Sequence, residues 1–269
     1  MKSYKQIIDD MEWSFSRLAC FDRCKYEFYL NYIVKDDSVY PPQQNYYAEV
    51  GSYVHKILAM VLSGEMKLED SLQYYLDNFE DNVFETVRRS TMKKTYELCA
   101  DYFASEDLKW ITDKYDIVCV EKDLHCLIEG YKFHGIIDLL LKDKKSGGYV
   151  IVDHKSAQYP FKKNGEVKKS SEEQFNSYKR QMELYAELVK ANYGHYPDFL
   201  VWNHFKENAG THAIIKCSLF DMLETRKWMC SIIERIKNEV EFEPTINEFY
   251  CRNLCQFRDS CEYRGADEI

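Results

Sequence analysis

The chain has 269 residues, a formal net charge of −9, ten cysteines and an unusual 22 tyrosines. Apolar residues make up 45% and charged residues 30%, which excludes a disordered acidic chain and fits a globular α/β protein. No apolar run is long enough for a membrane span and Met1–Glu12 lacks the apolar core of a secretory signal, so a cytoplasmic location is expected, with cysteines reduced or metal-bound rather than disulfide-linked.

Ser14 is a plausible helix cap, followed by apolar Phe15, Leu18, Phe21, Phe28 and Leu30. Cys24 lies inside this pattern, and read alone it is a small buried hydrophobe. A polar connection over 36–44 precedes a helix over 46–60, where Gly51 and His55 share a face one turn apart. Gly51 there would allow another element to approach closely. Residues 68–106 are rich in helix formers and predict two or three helices with no evident chemistry, an insertion spanning about 65–110.

Tyr115 to Ile128 predicts a strand bent near Lys122–Asp123, with Glu121 on an undetermined face. Phe133 to Ser156 then reads FHGIIDLLLKDKKSGGYVIVDHKS. Two short apolar runs flank a charged Gly-Gly turn, which predicts two strands continuing an antiparallel meander. Asp138 and Asp153 are thereby brought near each other. Alternation along a strand puts Asp153 and Lys155 on one face and His154 on the other. Two carboxylates and an ammonium in one patch favour a hard divalent cation, Mg²⁺ or Mn²⁺, and a metal beside a lysine suits phosphodiester hydrolysis. The same residues would also make a plain same-face ion pair.

A loop over 158–171 carries four lysines and reads either as a phosphate contact or as a solvated loop. Glu172 to Tyr193 predicts a helix on which Gln181 stacks over Tyr185 and Tyr178 over Gln181. Two further strands over 198–205 and 211–217 and a last long helix over 219–240 follow. In the tail, Cys251, Cys255 and Cys261 fall within eleven residues, a density that points to a metal rather than to core packing. A fourth ligand must come from elsewhere; Cys24 and Cys20 are the candidates, and either ties the C-terminus to the N-terminal helix. The net charge disfavours broad coating of nucleic acid but allows a local basic groove.

Six pieces, in order, resemble the PD-(D/E)XK nuclease superfamily in its RecB-like iron–sulfur branch, which includes AddB-type exonuclease domains and CRISPR-associated adaptation nucleases. They are Ser14 to Tyr29, Gly51–His55 as G-x-x-x-H, Gly135–Asp138, Asp153–Ser156 as D-x-K-S, Gln181–Tyr185 as Q-x-x-x-Y, and the tail cysteines. The resemblance implies that His55, Asp138, Asp153 and the main-chain carbonyl of His154 bind Mg²⁺ or Mn²⁺. It implies that Lys155 orients or deprotonates the attacking water, that Gln181 and Tyr185 position the DNA strand, and that Cys24, Cys251, Cys255 and Cys261 hold a 4Fe–4S cluster. The tail departs from the common pattern, with three residues between Cys251 and Cys255, so a zinc site stays open.

The expectation is therefore one restriction-endonuclease-like α/β domain over 1–269: a central mixed sheet flanked by helices, a helical insertion, and a Cys-rich tail over 249–263 closing onto Cys24. The expected activity is metal-dependent DNA hydrolysis, exonucleolytic on single strands or ends, in recombination, repair, replication or CRISPR adaptation. The alternatives are an endonuclease and a nuclease-fold DNA-binding adaptor that does not cleave.

Overall fold

The computed structural model describes residues 3–105, 107–207 and 211–263. In chain order its helices and strands are α1 (Tyr4–Asp9), α2 (Phe15–Arg23), α3 (Lys25–Phe28), α4 (Tyr46–Leu62), α5 (Ser71–Asn82), α6 (Arg89–Ala104), α7 (Lys109–Lys114), β1 (Tyr115–Ile128), β2 (Tyr131–Asp143), β3 (Tyr149–Lys155), α8 (Glu172–Tyr193), β4 (Phe199–His204), β5 (His212–Lys216), α9 (Leu219–Asn238) and α10 (Glu248–Asn253). The chain divides into two compact units: Met1–Asn45 with Leu127–His134 and Leu223–Ile269, and Tyr46–Cys126 with Gly135–Met222.

In the first unit Ser14 caps α2 as its sequence predicts, accepting from the Arg17 amide. The helical pattern does not run on through Cys24. Cys24 takes extended backbone (φ −154°, ψ 113°), ends α2 and caps α3, its sulfur accepting from the Glu27 amide. A π-helical turn over Tyr29–Val34 follows. Trp13 and Phe133 form an isolated parallel bridge, with Trp13 N–H donating to the Lys132 carbonyl and His134 N–H to that of Trp13.

The second unit holds a five-stranded sheet in the order β1-β2-β3-β4-β5. β2 and β3 are antiparallel, β3 and β4 parallel, β4 and β5 antiparallel. A parallel pair needs a crossover, and α8 lies in the one between β3 and β4. One sheet face presents Leu139, Leu141, Val150, Val152, Val201 and Phe205 to a core shared with α4, α5 and α6, including Tyr53, Ile57, Tyr75 and Phe103. On the opposite face, that of Leu140, Ile151, Leu200 and Trp202, the Phe175 ring of α8 packs 5.0 Å from Trp202. α8 spans the predicted 172–193 and stops at Gly194, whose left-handed backbone (φ 87°) costs glycine little.

Glycine matters most at Gly135. A β-carbon there would lie 2.5 Å from Tyr185 Cε1, so the bare backbone lets α8 close onto β2. The close approach expected at Gly51 is absent: nothing lies within 4 Å of a β-carbon built there, and Gly51 instead lines an open recess with His55 and Glu121. No described helix is long and apolar enough to cross a membrane.

Candidate active site

The acids meet because the β2–β3 ladder stops beside them. Its last pair is Leu139–Val152; Asp138 and Asp153 are the next residue on each strand. Where the strands part, the His154 N–H turns from the ladder to Asp138 Oδ2 at 2.9 Å. α4 brings His55 to the same point. Its Nε2 lies 2.9 Å from the His154 carbonyl oxygen and its Nδ1 3.5 Å from Asp138 Oδ2. Three of the predicted residues, His55, Asp138 and His154, thus converge, His154 through its main chain, whereas Asp153 supplies none of the ligand atoms that lie within 4.8 Å of one another.

Lys155 shares a face with Asp153, as strand alternation requires, and its ammonium lies 2.8 Å from Asp153 Oδ2. It also donates to Gln181 Oε1 at 3.1 Å, and Gln181 Nε2 contacts the Tyr185 hydroxyl at 3.1 Å. The Tyr178 ring lies beneath the ammonium, 4.5 Å from nitrogen to centroid. One face of α8, read from positions 178, 181 and 185, therefore holds the lysine in place.

Burial shapes the charges. Asp138 is pushed up to about 7, first by burial and then by the charge of Asp153. Burial acts to lower His55, but the Glu121 hydrogen bond and the charges of Asp138 and Asp153 outweigh it and leave the imidazole above its ordinary value. For Lys155 burial is likewise overcome, here by Asp153, and the ammonium is held protonated. Burial drives His154 well below the usual histidine range, so its ring is neutral.

Glu121 is the residue that sequence reasoning left undirected. Ligand atoms of His55, Glu121 and Asp138 all lie within 4.8 Å of one another. Its backbone is left-handed (φ 45°), an uncommon state for a strand residue that costs ~1–3 kcal/mol. The bend expected near 122–123 falls here. A second unforeseen contributor is Asn203, fully buried, whose Nδ2 approaches His154 Nδ1 at 2.9 Å and the Tyr102 hydroxyl at 2.7 Å. It fixes the ring behind the main-chain groups that meet Asp138 and His55. A buried asparagine in an apolar strand next to a histidine is the signal that could have found it.

The donor set fits a hard divalent ion: one imidazole, carboxylates and a carbonyl.

In the first unit, Cys24, Cys251, Cys255 and Cys261 line one cavity with Tyr26 and Tyr250. Cys20, weighed as a ligand, is buried and does not line it. Burial raises Cys255 to about 12 and also raises Cys261. Among the described residues no three cysteine sulfurs lie within 4.8 Å of one another, whereas four thiolates at about 2.3 Å from one tetrahedral zinc sit closer than that.

A family model for the PD-(D/E)XK nuclease superfamily matches residues 12–262. Among solved structures, a candidate exonuclease from Eubacterium rectale superposes with a TM-score of 0.51 at 15% identity, covering 99% of this chain and 91% of that one. The structure of SSO0001 is 14% identical with a TM-score of 0.38, covering 97% of this chain and 95% of that one. No curated protein of matching sequence is found. The first of these likenesses bears on the fold, a mixed sheet flanked by helices as in restriction endonucleases.

Proposed function

Since the chain belongs to the PD-(D/E)XK nuclease superfamily, we propose that it hydrolyses DNA phosphodiester bonds with Mg²⁺ or Mn²⁺ at the Asp138–Asp153–Lys155 site. The observation that carries this reading is the convergence of His55, Asp138 and the His154 carbonyl, with the half-buried Lys155 ammonium on Asp153. His55, Asp138 and the His154 carbonyl would hold the ion, with Glu121 and Asp153 as further oxygen donors. A bound ion would supply charge neutralisation at the phosphate and activation of the attacking water.

The chain's own residues do the rest. Lys155, kept protonated by Asp153, places a positive charge where the phosphoryl oxygens gain negative charge. It is better suited to orienting water and steadying charge than to removing a proton. Gln181 fixes the lysine through its carbonyl oxygen, and Tyr185 fixes Gln181 in turn. Water adds to phosphorus, the bond to the leaving sugar oxygen breaks, and that oxygen takes up a proton.

Exonucleolytic cutting from single-stranded ends follows the resemblance in the motifs and matches the description of the Eubacterium rectale protein. Roles in recombination, repair, replication or CRISPR adaptation belong to the same reading. The four lining cysteines would hold a 4Fe–4S cluster, with a zinc ion as the alternative.

Incubation of end-labelled linear and circular single-stranded DNA with Mn²⁺ tests the activity. Wild type is expected to degrade the linear strand and spare the circle, and Lys155→Ala to lose at least about 100-fold in rate, as when a preorganised charge is removed. Cut circles would mean an endonuclease; intact DNA bound by wild type would mean an adaptor.

A further inference from the structure

In the same unit as the acidic site lies an open cleft of about 620 Å³. Its walls come from the start of α4 (Tyr47), the first half of α6 (Ser90, Thr91, Lys94), the segment that continues β3 (Ser156 to Gln158) and the turn after β4 (Lys206). Ser156, on its wall, directly follows Lys155 in the chain.

The cleft has a chemical peculiarity. Neither Lys94 nor Lys206 meets a carboxylate within ion-pair distance among the described residues. Lys206 is half-buried, and burial holds it below the ordinary lysine value. Its ammonium rests instead 5.6 Å from the centre of the Tyr47 ring, and Tyr47 is 41% exposed. A partly desolvated cation without an anion is costly, and in a chain of net charge −9 carboxylates are not scarce. One acid, Glu207, also lines the cleft, and its Oε1 accepts from the Tyr159 amide. Leu98 and Ala157 supply apolar lining, and Ser90, Thr91, Ser156 and Gln158 supply hydroxyl and amide groups, neutral donors of the kind that contact phosphate oxygens.

We propose that this cleft is the track of a single DNA strand leading to the acidic site, with Lys94 and Lys206 meeting successive phosphates and Tyr47 stacking a base. The inference rests on the nuclease reading and adds the path of the substrate. Two cations on different walls, an exposed ring beside one of them and several hydroxyls suit an extended polyanion with flat bases better than a small compact anion.

The test is fluorescence anisotropy of a labelled oligothymidylate in Ca²⁺ across a salt series. The proteins are wild type, Lys94→Gln, Lys94→Gln/Lys206→Gln and Tyr47→Leu. Each single-strand phosphate contact contributes about 0.7 to the slope of log affinity against log salt, so the double variant is expected to lose about 1.4 and Lys94→Gln about half of that. Tyr47→Leu should weaken binding about tenfold and leave the slope unchanged, because stacking releases no counterions. Mn²⁺ affinity and melting temperature, measured on the same samples, should match wild type. Lys94→Gln, on an exposed helix position, keeps the test valid if Lys206 variants fail to fold. Wild-type slopes in Lys94→Gln and the double variant would overturn the track while leaving the nuclease reading intact. A wild type that binds and cuts no DNA would remove both.

Discussion

At the scale of single residues the candidate site is a competition between protons and a cation. Asp138 is pushed up to about 7 by burial and by Asp153, and His55 is raised through Glu121 and the acids around it. An ion needs both groups deprotonated, so its binding must expel the protons they carry. Both groups are raised, Asp138 to about 7, so Asp138 is protonated below that pH and metal affinity is lost as pH falls through it. Mn²⁺ affinity is expected to be constant on the alkaline side and to drop by at least about tenfold per pH unit below about 7. Titration calorimetry in buffers of different ionisation enthalpy would count the released protons. An affinity flat across this range would mean that the ion does not displace a proton from Asp138. Much of this site was legible in the sequence, because D-x-K alternation and helical spacing are local rules. Glu121 was not, since its direction depends on a left-handed backbone that no local rule places at a glutamate. Asn203 was hidden for a different reason: its partner His154 lies across a parallel strand pair, 49 residues away.

At the scale of elements, the lysine is held by α8, and α8 is held close by a missing side chain. The Tyr185 ring occupies the space where a β-carbon on Gly135 would sit, with Leu188 Cδ1 at 3.1 Å on the same side. Tyr185 is 8% exposed and anchored to Gln181, so the ring has little freedom to retreat. Gly135→Ala should therefore destabilise by ~1–3 kcal/mol, the usual cost of overpacking. Removing the ring should remove the clash. In a double-mutant cycle, Gly135→Ala with Tyr185→Ala is expected to be less destabilising than the sum of the two single changes. Urea denaturation measures all four corners, and additive losses would mean that α8 does not bear on Gly135. The boundaries of α8 were readable because its periodicity is long and its end is a glycine. The order of the sheet was less so. Adjacent hairpins follow from turns, but the β3–β4 pairing joins strands separated by the whole of α8, a non-local choice made by burial on both faces. The helical pattern through Cys24 misled in the opposite direction, since apolar spacing survives a break that leaves an extended residue between two helices.

At the scale of the whole molecule, the unit that contains the cysteine cavity is assembled from three separated stretches of chain. Cys24 comes from the first and Cys251, Cys255 and Cys261 from the last. Bringing such distant segments together costs loop-closure entropy, which a group bound only in the folded state offsets. Burial raises Cys255 to about 12 and also raises Cys261, so without a cation they stay protonated and bind nothing. A metal or cluster held there would have to displace those protons, which would couple its binding to folding. Protein purified without oxygen is expected to carry iron and sulfide and to show a visible absorbance band that dithionite bleaches. Cys255→Ser should lose the band, melt at a lower temperature and be cut first by protease within residues 223–263, the stretch that carries three of the ligands. Bound zinc without colour would replace the cluster by a zinc site. A wild type free of both metals, melting at the same temperature as Cys255→Ser, would show that these four cysteines do not hold the unit together.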